Sequence, residues 1–354
     1  MWIENDVFRE DMETIAGAEY IPWQELQGST VFVTGATGLI GFNVISGLMY
    51  ASQKYNLSLK VLALVRDKAK AEERFAELIA SGAPLEFIEG DLMAMPEIQA
   101  DVDYIIHGGS PTASKYFVEH PVETIAINLN SSRDLLEMAR TKQVKGIVFL
   151  SSMEVYGSLH RQEKVDEKHE SFIDTMNPRN SYPEAKRMVE AMFTSYAAEY
   201  GVPAKVIRLT QTFGAGVRKG DNRVFAQFAR SVMRHEPIVL LTKGGTKREY
   251  LYTADAVTAI LTVLLNGQPG GAYNAANESS YCSIKEMAET AASLPIADKF
   301  GGKVEVKIAE SDESSKIYPP ELYMDLDTRK IAKLGWKPEY GLDDMFTRMI
   351  KSRV

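Results

Sequence analysis

A single cysteine, Cys282, in a chain of 354 residues leaves nothing to pair with, which excludes an internal disulfide framework and a cysteine-rich metal site. Histidine is scarce as well. The five present are scattered, none in an HExxH-type spacing, and no metal is expected. No apolar run approaches the length of a membrane span, and the opening stretch MWIENDVFREDMETI is acidic and polar where a secretory signal is basic and apolar. The expected compartment is the cytoplasm. A formal charge of −8 argues against general nucleic-acid binding and leaves local clusters of Lys and Arg for phosphorylated ligands.

What is present is ample core material, 45% of residues being hydrophobic. From Thr30 to about Ile207, short β-branched runs alternate with longer stretches of helical spacing. VFVT, VLALV, LEFIEG, VDYIIH, GIVFLSS and AKVIRL predict strands, and Pro121 to Thr141 predicts a helix. Strands alternating with helices predict an α/β fold with a doubly wound parallel sheet. After Leu209, glycine-rich and charged segments (FGAGVRKGDNR, TKGGTKREY) surround a helical stretch, VFAQFARSVMRH, and a later helix is expected near Ser283. This divides the chain into three parts: an N-terminal extension (1–28), read as a short helix and connector packed on the outside; a sheet domain (29–210); and a mainly ligand-facing lobe (211–354), from which a segment near 250–278 returns to the sheet.

Directly after VFVT comes GATGLIG, which sets Gly35, Gly38 and Gly41 in a GxxGxxG turn from strand to helix. Glycines let the backbone approach a pyrophosphate, and the helix start offers free N–H groups and the positive end of the dipole. In this alternating context the turn predicts a dinucleotide, met by Gly35, Thr37, Gly38, Leu39, Ile40 and Gly41. The second strand ends VLALVRDKAK, where NAD sites usually carry an acidic residue for the adenosine ribose. Val65 and Arg66 occupy that corner, and Asp67 comes one step late. Arg66, with Lys68 nearby, suits a 2′-phosphate, so NADP is favoured with NAD as the alternative. Asp91 and Leu92, after the third strand, are placed to meet the adenine.

NSYPEAK sets Tyr182 and Lys186 one helical turn apart on one face. A free phenol, with a pKa of about 10, is a poor base at neutral pH; a neighbouring ammonium and a cationic nicotinamide would lower it. SSMEVYG closes the apolar run GIVFL. If the chain stays extended there, Ser152 and Glu154 share a face and Met153 points away. A carboxylate at a buried strand end is costly without a task or a partner.

Together these motifs resemble the extended short-chain dehydrogenase/reductases that act on nucleotide sugars, from about Thr30 onward. The resemblance implies a Rossmann-type doubly wound parallel sheet with a smaller, discontinuous C-terminal substrate lobe. It also implies that Ser152 hydrogen-bonds the sugar hydroxyl being oxidised, Tyr182 removes its proton, and Lys186 binds the nicotinamide ribose and tunes Tyr182. IIHGGSPTASKYFVEHP, NPRNSYPEAKR, RLTQTFGAG, DNRVFAQF and KREYLY are similar to stretches of the UDP-glucuronate decarboxylase branch. By that similarity Gly108 meets the cofactor, while Ser110, Arg179, Gln211, Arg223 and Arg248 face the nucleotide sugar. Arg223 and Arg248 are assigned its diphosphate, because planar guanidinium donors grip phosphate oxygens in pairs.

In the family's dehydratases, decarboxylases and some epimerases, the position matching Glu154 carries a glutamate that acts once the 4-keto sugar exists, when the ketone has acidified the neighbouring carbon. Met153 departs from the dTDP-glucose 4,6-dehydratases, which carry an aspartic acid there to protonate the leaving hydroxyl; methionine has no proton to give. GDP-mannose dehydratases lack that acid too, so dehydration stays open. Arg66 departs from the decarboxylase branch, whose members have an acidic residue there and hold NAD. The expectation is oxidation at carbon 4 followed by decarboxylation or dehydration. An epimerase, a net keto-sugar reductase and a dinucleotide-binding sensor are the alternatives. A homodimer, paired through 121–140 and 181–200, is a further implication of the resemblance.

Overall fold

The computed structural model describes residues 3–112, 114–309 and 321–353; Ala113, inside one of the quoted stretches, lies outside them. Strands β1 (Thr30–Thr34), β2 (Lys60–Val65), β3 (Leu85–Glu89), β4 (Tyr104–His107), β5 (Gly146–Ser152), β7 (Ala204–Leu209) and β11 (Ala272–Ala275) form a parallel sheet in the order β11-β7-β5-β4-β1-β2-β3. A second sheet holds β6 (Lys164–Val165), β8 (Gln211–Phe213), β10 (Lys247–Tyr252), β12 (Asn277–Ser283) and β14 (Tyr323–Leu326), while β9 (Ile238–Leu240) pairs with β13 (Val306–Ile308).

The inner strands of the large sheet are apolar almost throughout because both faces are covered. Val31, Val33, Val61 and Ala63 point into a core shared with helices α1 (Asp6–Gly17), α2 (Leu39–Tyr55) and α3 (Lys68–Arg74). The alternate residues Phe32, Leu62, Ile105, Ile147 and Phe149 meet the opposite layer. After α4 (Ala76–Ala80) and the short α5 (Ser114–Glu119), that layer is built by α6 (Pro121–Thr141) and α7 (Ser181–Tyr200). Beyond it come α8 (Val224–Met233), α9 (Thr253–Asn266), α10 (Ile284–Ala292), α11 (Arg329–Ala332) and α12 (Leu342–Lys351). Helix α9 is buried along almost its whole length and β11 follows it into the edge of the large sheet. Because β1 lies between β2 and β4, chain direction switches at the carboxyl ends of β1 and β4, where open α/β sheets place their ligands. Among the described residues, no helix is long and apolar enough to cross a membrane.

The N-terminal segment is a helix packed by one face, with Asp6, Glu10 and Glu13 left exposed on the other. Met12 and Ile15 are fully buried, and Asp11, also fully buried, accepts from Tyr252 Oη (2.7 Å) and from Arg348 of α12 (2.7 Å). The apolar stripe Val7, Phe8, Met12 and Ile15 recurs at helical spacing, so α1 becomes part of the core it covers.

A second buried acid lies inside β10. Glu249 Oε1 accepts the Leu326 N–H at 2.6 Å, and burial, helped by the Asp325 carboxylate, raises its carboxyl to about 9. Between the ordinary carboxylate range and that value the folded protein holds a proton that the unfolded chain releases, so rising pH works against folding. Glu249→Gln is therefore expected to raise the thermal midpoint, and by more at pH 8 than at pH 5, in melts followed by circular dichroism.

Candidate active site

The glycine-rich turn leaves the end of β1 in a left-handed step. Gly35 has φ +72°, and a Cβ there would lie 2.6 Å from the Gly108 carbonyl oxygen. A Cβ on Gly41 would lie 2.3 Å from the Gly35 carbonyl oxygen, so strand, turn and helix meet only without side chains. Gly38 is the N-cap of α2 and places no side chain over the N–H groups of Leu39 and Ile40. The carbonyl of Thr37 accepts from Arg218 at 2.9 Å. Gly108 follows β4, with its N–H on the Thr34 carbonyl.

At the end of β2, Arg66 is exposed and makes no ion pair among the described residues. Asp67 is occupied as the N-cap of α3, accepting the Lys70 N–H at 3.0 Å, which gives the late acidic residue a structural task. Asp91 is exposed and accepts the Met93 N–H, and Leu92 packs against Gly109.

Strand β5 ends at Ser152, and a 3₁₀ turn over Met153–Tyr156 replaces the expected extended alternation. Ser152 Oγ accepts the Glu154 N–H at 3.2 Å, which starts that turn. Met153 is buried with Sδ 3.2 Å from Thr210 Oγ1, whereas Glu154 is about one-third exposed and close enough to influence the Tyr182 phenol. The phenol, only 7% exposed, is bonded to Ser152 and raised well above its usual value by burial and then by Glu154. That is opposite to the lowering expected from Lys186. Lys186 Nζ donates to the Leu150 carbonyl at 2.9 Å and lies 5.5 Å from the Tyr182 ring centre; burial lowers it to about 7, opposed by Glu190.

The residues read as facing the sugar are unequally committed. Arg179 reaches Glu154 at 3.4 Å and lies over the Phe117 ring. Ser110 Oγ donates to Asn128 Oδ1 at 3.0 Å. Gln211 of β8 and Arg248 of β10 are half-buried on paired strands, and their side chains have no hydrogen-bond or ionic partner among the described residues. Arg223, in contrast, is held by Asp221 through Nη2 at 2.6 Å and Nε at 3.1 Å, so a diphosphate would have to share it.

Several neighbours escaped sequence reasoning. Phe117 stacks on Tyr182 with ring centres 4.2 Å apart and planes 8° from parallel, but the aromatic pair in SKYFVEHP carries no signal of it in the sequence. His107 spans Thr34 Oγ1 (2.8 Å) and Ser132 Oγ (3.0 Å), while Thr34 Oγ1 also accepts the Gly109 N–H; burial, then the Lys186 charge, lowers the imidazole to about 3 and keeps it neutral. Arg208 and Glu190 pair at 2.6 Å. An arginine inside the apolar run AKVIRL was a usable signal, since a charge there needs a partner.

Residues 31–276 match the NAD dependent epimerase/dehydratase family. The chain is 27% identical over 316 residues to UDP-glucuronic acid decarboxylase 6 of Arabidopsis thaliana, covering 88% of this chain and 85% of that protein. In fold it is similar to the UDP-N-acetylglucosamine 4-epimerase of Methanobrevibacter ruminantium, with a TM-score of 0.75, 20% identity, and 92% and 98% of the two chains covered. It is similar also to the dTDP-glucose 4,6-dehydratase of Streptomyces venezuelae solved with NAD, with a TM-score of 0.73, 20% identity, and coverage of 91% and 96%.

Proposed function

The chain belongs to the NAD dependent epimerase/dehydratase family, and on that premise we propose that it oxidises a nucleotide sugar at carbon 4 and then decarboxylates the 4-keto intermediate. The observation that carries this reading is the cluster of Ser152, Tyr182, Glu154 and Arg179. Ser152 and Tyr182 hold the sugar hydroxyl, and Tyr182 takes its proton. Bound NAD(P) supplies the hydride acceptor. Since burial and Glu154 hold the phenol protonated in the protein alone, the positive charge of Lys186 and of the oxidised nicotinamide must offset both before Tyr182 can act as base. A carboxyl attached to the carbon next to the new ketone departs readily as carbon dioxide, because the electron pair of the broken bond passes into the ketone as an enolate, which then takes up a proton. Glu154 orders the sugar at that stage, and Arg179 gives an anionic sugar group a cation to approach.

Decarboxylation is placed before dehydration because the similar Arabidopsis protein is named a UDP-glucuronic acid decarboxylase, and because the buried Met153 offers no acid to a leaving hydroxyl. The uncommitted Arg66 favours NADP, and NAD, which the similar dehydratase holds, is the second cofactor. Residues 211–354 supply Gln211, Arg223 and Arg248 to the nucleotide sugar. The exposed side chains of Val122 and Ile125 on α6 and Met188 on α7 support a homodimer paired on those helices, for which the cytoplasm is the expected compartment.

The test is mass spectrometry of UDP-glucuronate, UDP-glucose, UDP-N-acetylglucosamine, dTDP-glucose, CDP-glucose and GDP-mannose, each incubated with the protein and NAD or NADP. Carbon dioxide lost from UDP-glucuronate is the expected result, faster with NADP. Water lost from another sugar would make the protein a dehydratase. Unchanged masses throughout would sink both readings and leave an epimerase or a reductase.

A further inference from the structure

Three consecutive residues at the end of β5 each engage a different side chain of α7. The Leu150 carbonyl accepts from Lys186 Nζ at 2.9 Å, Ser151 Oγ donates to Glu190 Oε1 at 2.6 Å, and Ser152 bonds the Tyr182 phenol. Tyr182, Lys186 and Glu190 are spaced four residues apart and form one stripe on the helix. On β7, Arg208 is in register with Ser151 and grips Glu190 through Nε (3.0 and 3.2 Å) and Nη2 (2.6 Å). Arg208 is itself held by Tyr156 Oη at 2.8 Å and the Glu167 carbonyl at 3.0 Å.

Lys186 is only 3% exposed, and apart from the Leu150 carbonyl and the aromatic ring faces, which favour its charge, the groups packed around it are neutral. His107 approaches from β4 as a neutral imidazole, Tyr182 is a protonated phenol, and Phe149 of β5 presents its ring face 4.4 Å from Nζ. Glu190 is the anion one turn away, and its carboxylate is immobilised from two strands. Burying a carboxylate is costly, and a site built only to pack would be better served by an apolar side chain.

We propose that Glu190 is a positioning residue of this centre, its carboxylate, clamped by Ser151 and Arg208, keeping the buried Lys186 ammonium charged and aligned with Tyr182. The inference rests on the roles given to Tyr182 and Lys186 above. Because Lys186 is assigned to the nicotinamide ribose, its loss of a proton weakens cofactor binding, and the pH at which binding weakens reports its charge.

The experiment is a fluorescence titration of NADH and of NADPH against native protein, Glu190→Gln and Glu190→Asp, from pH 4.5 to pH 9. In Glu190→Gln the pH midpoint of affinity is expected to fall by about one to two pH units, the size expected from removing an opposite charge one helical turn away. Glu190→Asp, which keeps the charge, should recover most of that shift. Thermal melts of the three proteins report folding separately. Midpoints that coincide in all three, with affinity or melting temperature lowered evenly, would overturn the proposal and leave Glu190 a structural ion pair. A native protein that leaves UDP-glucuronate untouched but shows the shift would fail the substrate reading alone and support the role of Glu190.

Discussion

Tyr182→Phe is expected to slow carbon-4 oxidation by about 10²- to 10⁴-fold, the range for losing a positioned general acid or base, while affinity for the nucleotide sugar stays close to native. The substitution deletes one oxygen from a side chain 93% buried, since 7% remains exposed, and leaves the ring stacked 4.2 Å from Phe117. Folding should therefore survive. What disappears is the hydroxyl bonded to Ser152 and influenced by Glu154 and Arg179. Single-turnover reduction of the bound cofactor isolates this step from product release. A loss smaller than tenfold would remove Tyr182 from the chemistry and return the pair Tyr182 and Lys186 to a packing role.

The second large effect concerns the cofactor cradle. Gly35→Ala meets two penalties: a left-handed φ of +72°, costing about 1–3 kcal/mol, and a Cβ 2.6 Å from the Gly108 carbonyl oxygen. That oxygen is backbone and has no rotamer through which to withdraw. Relief requires the end of β1 to separate from the loop after β4, where the cofactor is expected. Affinity for NAD(P) should fall by about 10²-fold or more, which corresponds to nearly 3 kcal/mol, and the thermal midpoint should fall with it. Gly82→Ala is the matched control. Its φ is +73°, but a Cβ there meets nothing within 4 Å, so it carries the backbone penalty without the clash. Calorimetric titration of both variants separates the two causes. Equal cofactor affinity in the pair would show that the close approach to Gly108 does not shape the cradle.

Local order in this protein was legible to different depths. The six runs read as strands all lie in the large sheet; for the inner five, apolar β-branched segments covered on both faces have few other solutions, while β3 is a half-exposed edge. The two-residue strand β6 and the three-residue strands β8, β9 and β13 carry too few side chains to show a period, and they form because partners elsewhere in the chain offer an edge. The stretch after Ser152 failed differently. Its residues alternate well enough for a strand, but Ser152 Oγ captures the Glu154 N–H and turns the backbone, a competition between side chain and ladder that periodicity does not register.

The site divides along the same line. By itself the sequence determined the glycine-rich turn after β1, the spacing that puts Tyr182 and Lys186 on one helix face, and the likeness to a nucleotide-sugar family. All of these depend on residues close together in the chain. Tertiary structure alone decided which charges those residues feel. Arg248 was left uncommitted, Glu154 drew Arg179 toward the phenol, and Glu190 was pinned beside Lys186 by Ser151 and Arg208. Coulombic and desolvation energies depend on distance and burial in three dimensions, and segments far apart in sequence set both.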